Sequence, residues 1–185
     1  MDFSDKIKEL RSLKRYSLDE LSRRSGVSKS MISKIERKEK CPTLEVAAKI
    51  SEALDTTLSS LLATSSTADI VVTRKQDRSV FLDELTGFRR ELLSPQRPDP
   101  ELEFIENCIP PHSSSPAFPP HRKGVEEYIT VTAGVLTARL GPQEVRLEAG
   151  DSLFFRASVV HQFCNDGDTE CRYFLVIDSY KTKHP

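Results

Sequence analysis

Two serines eleven positions apart, Ser17 and Ser28, frame the stretch that most restricts how this chain can fold. Ser17 precedes Leu18 and Leu21 and has Glu20 three residues on, the pattern of a reciprocal capping box. Ser28 precedes Met31, Ile32 and Ile35, and Gly26 between the two serines suits the left-handed end of a helix. Such punctuation forbids one long helix and any strand, leaving two short helices joined by a tight turn. The flanks read the same way. Ile7, Leu10 and Leu13 recur at three-residue spacing within Asp5 to Lys14, which predicts a first helix with those residues inward. Beyond the third helix, ending near Arg37, Cys41-Pro42 is a break and Thr43 caps a segment from Leu44 to Leu54. A short fifth helix is expected at Leu58 to Leu62.

Two short helices around a glycine turn make a helix-turn-helix, whose second helix enters the major groove while the first crosses the backbone. With Met31, Ile32 and Ile35 inward, the third helix turns Ser28, Lys29, Ser30, Ser33 and Lys34 outward. Hydroxyls and flexible cations of this kind suit base edges and phosphates. Arg37, Lys38 and Lys40 follow, and Ser17 sits where free helix N–H groups face an anion. Charge agrees: residues 5–40 hold 12 Lys and Arg against 6 Asp and Glu, although the whole chain has a net charge of -1.

The composition changes near residue 65. Of 13 aromatic residues only Phe3 and Tyr16 lie before it, and of 7 glycines only Gly26 does. Thr64 to Asp69 is small and polar, as a connector should be. The expected organisation is a helical domain over 1–64, a linker over 65–69 and a second domain over 70–185. In the second domain, strand-like runs cover Leu102 to Ile109, Tyr128 to Thr132, Val135 to Leu140, Glu144 to Leu147, Ser152 to Phe155 and Arg172 to Ser179. Gly134, Gly141-Pro142, Gly150-Asp151 and Asp166-Gly167 separate them, and Pro110 to Pro120 reads as an extended loop. The pattern predicts a small antiparallel β-barrel with Phe154, Phe155, Phe163 and Phe174 in its core. The fold class is therefore multidomain α + β.

No apolar run approaches the roughly 18 residues that span a bilayer, and Met1 to Leu10 lacks the apolar core of a secretion signal. A cytoplasmic protein without membrane contact is expected. Cys41, Cys108, Cys164 and Cys171 make no C-x-x-C pair and are expected to be reduced and mostly buried. Cys164 and Cys171 could face each other across a hairpin. His112 and His184 are expected in solvent, whereas His121, Glu127 and His161 carry the metal-binding chemistry open to the second domain.

Two resemblances extend these readings. Leu18-Asp19-Glu20-Leu21-Ser22-Arg23-Arg24-Ser25-Gly26-Val27-Ser28, with Ile32-Ser33-Lys34-Ile35-Glu36-Arg37, resembles the phage-repressor-type (XRE-like) helix-turn-helix family over roughly residues 5–63. That resemblance implies that Ser28, Lys29, Ser30, Ser33 and Lys34 face double-stranded DNA. Pro120-His121-Arg122-Lys123 through Glu127 to Gly134, and Gly150 to Ser158 with His161 to Asn165, resemble the two cupin motifs over roughly 100–180. The cupin resemblance implies a double-stranded β-helix and a divalent metal held by two His of an H-x-H, a Glu and a later His. These positions fall on His121, 123, Glu127 and His161, but 123 is Lys123, and Arg156 and Ser158 stand where the family usually has Pro and Gly.

Two imidazoles and a carboxylate leave a zinc ion, the most plausible transition metal here, one position for an incoming ligand. Lys123 and Arg122 would then receive the carboxylate of a small effector, an amino acid among the candidates. Without metal, the two histidines would only hydrogen-bond Glu127 beneath an organic ligand. The expected function is a homodimeric, non-enzymatic regulator of transcription that reads DNA through Ser17, Ser28, Lys29, Ser30, Ser33, Lys34, Arg37 and Lys38. Its rivals are a metal-dependent cupin enzyme tethered to DNA and a ligand-free cupin dimerisation module.

Overall fold

The computed structural model describes residues 3–56, 58, 61, 70–96 and 100–183. Its contacts divide the chain near residue 66 into two compact units. The linker expected at 65–69 and His184 lie outside the described residues.

In the first unit, α1 (Phe3–Leu13), α2 (Leu18–Ser25), α3 (Lys29–Glu36) and α4 (Leu44–Ala53) surround one apolar core. Four helices are thus described where five were expected. Most of the segment expected to form the fifth lies outside the described residues, although Leu61 is buried in the same core. Three caps form as their sequences dictate: Ser17, Ser28 and Thr43 accept from the backbone N–H of Glu20, Met31 and Val46. Gly26 closes α2 at φ 68°, a left-handed conformation that costs glycine little. The capping box is only half made, because the Glu20 carboxylate turns instead to Arg23 and Arg24 at 2.7 and 2.6 Å. In α1 the inward face is Phe3, Ile7 and Leu10, while Leu13 is 71% exposed. A three-residue step falls short of a full turn, so two such steps carry Leu13 off the face that Ile7 begins.

The second unit holds β1 (Val80–Leu82), β2 (Arg89–Leu92), β3 (Leu102–Ile109), β4 (Ser113–Ser114), β5 (Glu126–Ala133), β6 (Val135–Leu140), β7 (Gln143–Glu148), β8 (Ser152–Arg156), β9 (His161–Asn165) and β10 (Cys171–Asp178), followed by the short helix α5 (Tyr180–Lys183). All described pairings are antiparallel, but the strands form two sheets, β1-β2-β3-β10-β5-β8 and β4-β9-β6-β7, rather than one closed barrel. The glycine turns cause the division. The chain leaves the larger sheet at Gly134, between β5 and β6, and returns at Gly150, between β7 and β8. The inner faces meet through Phe163 on β9 and Tyr173 on β10, ring centroids 5.4 Å apart.

Two expectations about side chains fail for the same reason. Phe154 is 48% exposed and stacks on Tyr128, while Phe174 stacks on Phe104, so both pairs lie on the outer face of the larger sheet. Phe155 and Phe163 are in the core as expected. Cys164 and Cys171 belong to different sheets and do not pair across a hairpin; both are buried free thiols. The proline-rich segment contributes β4 and a bridge from Phe118 to His161, and none of the described helices is long and apolar enough to cross a membrane.

Candidate functional site

In the first unit the cap Ser28 starts α3 and Ile32 and Ile35 bury its inner side, so its opposite side is fixed by geometry. Ser28, Lys29, Ser30 and Lys34 are exposed, Ser33 is half-buried, and Arg37 and Lys38 follow at the exposed C-terminal end. Ser17 is exposed at the start of α2; its Oγ accepts one backbone N–H at 3.1 Å and keeps its own O–H to donate. Three of the cations are held by neighbouring acids, Lys29 by Asp19 at 2.8 Å, Arg37 by Glu39 at 2.7 Å and Lys38 by Asp5 at 3.0 Å. The placement of α3 rests on Arg11 of α1. Its guanidinium forks onto both oxygens of Glu36 at 2.6 and 2.9 Å and donates to the Tyr16 carbonyl at 2.9 Å. Sequence reading overlooked this pair, since Arg11 and Glu36 lie 25 residues apart and each looks like part of a solvated face.

In the second unit three elements bring His121, Glu127 and His161 together. The His121 backbone N–H donates to Ala157 at 2.8 Å, pinning the loop before β5 to the end of β8. Glu127 lies on β5 opposite Phe155 and Ile177 and points inward, and His161 begins β9, bridged to Phe118. His121 Nε2 is 3.1 Å and His161 Nε2 3.5 Å from Glu127 Oε1, and one ligand atom from each residue lies within 4.8 Å of the others.

His161 Nδ1 is 3.0 Å from the Val159 carbonyl, an oxygen that can only accept, so Nδ1 holds the proton and Nε2 turns a lone pair to the site. Burial lowers the pKa of His161 and keeps it neutral, despite the opposing pull of Glu127. Burial also pushes the Glu127 carboxyl up, but the His121 hydrogen bond and the neighbouring His121 and Arg90 outweigh it and bring it below the ordinary range. A neutral imidazole and an ionised carboxylate, both lone-pair donors, suit a bound cation, and the Glu127 Oε2 atom is buried with no hydrogen-bond partner. The donor set therefore fits a divalent metal.

Lys123 is exposed and Arg122 half-buried, both in the turn that leads into β5. His112 is exposed as expected and contacts Asp168 at 2.9 Å. Sequence reading missed Arg90, Glu103, Asn107 and Tyr173, which share the inner side of the larger sheet with Glu127. Their signal was faint because β2 and β3 carry charged or aromatic residues on both faces.

Comparison with known proteins finds a family for each unit. The helix-turn-helix family HTH_3 matches residues 7–61 and the Cupin domain family matches residues 106–177. The HTH-type transcriptional regulator SutR of Escherichia coli K12 is 29% identical over 175 residues, covering 94% of this chain and 93% of that protein. A crystal structure of an HTH_3 family transcriptional regulator from Vibrio cholerae superposes with a TM-score of 0.77 at 27% identity, covering 95% of this chain and 94% of the other. Hydroxypropylphosphonic acid epoxidase from S. wedmorenis, at 19% identity, a TM-score of 0.50 and coverage of 95% and 96%, shares the fold alone. With its capped α3 in the first unit and its His-Glu-His cluster in the second, the chain carries an HTH_3 helix-turn-helix domain and a C-terminal Cupin domain and is similar along its length to HTH-type transcriptional regulators.

Proposed function

We propose that this regulator reads a specific operator through α3 and that a small metabolite bound in its cupin domain adjusts its grip on DNA. The domains are taken as 1–64 and 70–185, joined by 65–69, in the cytoplasm. The carrying observation is the exposed N-terminal end of α3, with Ser28, Lys29, Ser30, Ser33 and Lys34 opposite a buried Ile32 and Ile35. Ser and Lys there meet base edges and phosphates, while Ser17, Arg37 and Lys38 meet phosphates at the margins.

His121, Glu127 and His161 hold the divalent metal, zinc being the ion best suited to two imidazoles and a carboxylate. When bound, it offers a Lewis-acidic pole to an oxygen of the metabolite. Arg122 and Lys123 draw an arriving carboxylate toward the His121-Glu127-His161 cluster. The aromatic pairs on the outer face of the larger sheet, Phe104 with Phe174 and Tyr128 with Phe154, support pairing of two cupin domains into a homodimer. Two recognition helices would then meet half-sites roughly 34 Å apart, at a spacing that the metabolite modulates.

A gel-shift assay with duplexes from beside the regulator's own gene tests this reading, with zinc and small carboxylates added or withheld. Retardation that responds to an addition is expected; no retardation under any of these conditions would overturn it.

A further inference from the structure

Asn107 and Tyr173 stand directly opposite each other in the ladder between β3 and β10, buried to 1% and 0% exposure. Among the described residues, neither the amide O and N of Asn107 nor the hydroxyl of Tyr173 makes a hydrogen bond of good geometry, although the two side chains lie close enough to interact with each other. Arg90 faces Asn107 across the ladder between β2 and β3. Its guanidinium lies 5.9 Å from the Phe118 ring, which stacks on His161 at 5.5 Å. Arg90 Nη2 is 3.7 Å from Glu103 Oε2, too far for a hydrogen bond, and Glu103 Oε1 is buried and unpartnered as well.

Buried polar atoms are normally paired, so an unpaired set on one inner face asks for a partner of complementary chemistry. The groups are of both kinds. Arg90 and the Asn107 amide N–H call for an anion, whereas Glu103 Oε1 and Asn107 Oδ1 call for N–H donors, and the Tyr173 hydroxyl serves either. A simple anion would leave Glu103 unmatched and repelled. A simple amine would do the same to Arg90. A molecule with a carboxylate and an ammonium on one carbon satisfies both poles of this loosely closed ion pair. We propose that the inner face of the six-stranded sheet binds a free α-amino acid, its carboxylate on Arg90 and its ammonium on Glu103, with Asn107 and Tyr173 completing the hydrogen bonds.

The proposal rests on the reading of the cupin domain as a metabolite sensor but does not need the metal. Its test is calorimetric and thermal-shift titration of the full chain with the twenty common amino acids. For each one that binds, the decarboxylated amine and the deaminated 2-oxo acid are titrated as well. At least one amino acid should bind, and both its derivatives should bind at least tenfold more weakly. Tyr173→Phe removes only a hydroxyl that makes no hydrogen bond of good geometry, so the unliganded melting temperature should change little while affinity for the amino acid falls severalfold. Arg90→Gln should weaken it at least tenfold. Equal binding of the 2-oxo acid, or full affinity in both variants, overturns the proposal. A chain that answers 2-oxo acids but no amino acid also overturns it while leaving the sensor reading intact; a chain that answers no metabolite, in melting or in DNA retardation, sinks both.

Discussion

His161 Nε2 and Glu127 Oε1 confront each other at 3.5 Å, each presenting a lone pair, because the other nitrogen of His161 is committed to the Val159 carbonyl. Two acceptors at that distance repel unless a cation lies between them. Zinc added to chelator-treated protein should therefore raise its melting temperature. At a hundredfold excess over the dissociation constant the gain is about 2.7 kcal/mol. His161→Ala or Glu127→Gln should weaken uptake more than tenfold, as measured by competition with a chromogenic chelator, since each removes a ligand and not merely a supporting contact. Uptake unchanged in both variants would dismiss the metal.

On DNA, Lys34→Ala should weaken binding to every sequence alike and reduce the salt slope by about one, the signature of a single phosphate contact. Glu39→Gln should act in the opposite sense. It frees Arg37 from a 2.7 Å exposed ion pair whose worth is about 0.2–1 kcal/mol, so affinity should rise by up to about fivefold. Fluorescence anisotropy across a salt series measures both effects.

The helix-turn-helix could be read from residue identities because caps and glycine turns act over three or four neighbours: Ser17, Gly26 and Ser28 announce themselves locally. His121, Glu127 and His161 were legible only through the spacing of the cupin motifs, since a sheet register brings them together over 40 residues of chain. Arg90 and Asn107 were not legible. A charged or amide residue in an alternating strand reads as the solvent side, and here the outer side carries Phe104 and Phe174, so the alternation of β3 and β10 does not say which face is buried. The Leu13 error has a similar origin, a three-residue spacing that mimics a helical face over one turn and departs from it over two.

Arg11→Met should loosen α3. Its side chain and that of Glu36 are only 16% and 7% exposed, and the substitution removes two hydrogen bonds to Glu36 and one to the Tyr16 carbonyl and leaves a largely hidden carboxylate, at a cost of about 2–3 kcal/mol. Lys14→Met, which breaks a pair 32% and 48% exposed, should cost less than about 1 kcal/mol. Hydrogen exchange of the α3 amides separates the two; equal protection in both variants would deny the fork its role in holding α3.

The thiols should react in a fixed order. Cys41 is exposed, whereas burial pushes Cys108 up to about 12 and Cys171 up to about 11, with Glu170 adding to both shifts. Only a thiolate attacks iodoacetamide, so at pH 8 the native chain should take one label rapidly, at Cys41. Labelling of Cys171 should follow only on unfolding. Peptide mapping after a timed pulse reads the order directly, and early modification of Cys171 would contradict its burial.

Gly134 and Gly150 offer a controlled pair for the turns that move the chain between sheets. Both have positive φ, 73° and 99°, so alanine at either position incurs backbone strain of about 1–3 kcal/mol. They differ in surroundings. A Cβ on Gly134 would sit 2.6 Å from the Glu170 carbonyl oxygen and 2.9 Å from the Cys171 Cα, next to the register shift between Arg172 and Tyr173, while one on Gly150 would meet nothing within 4 Å. Gly134→Ala must displace backbone in β10, the strand that joins β3 to β5, and Gly150→Ala need not. Gly134→Ala should therefore lower the melting temperature of the cupin domain by clearly more than Gly150→Ala, and an equal fall in both would mean that β10 yields at little cost.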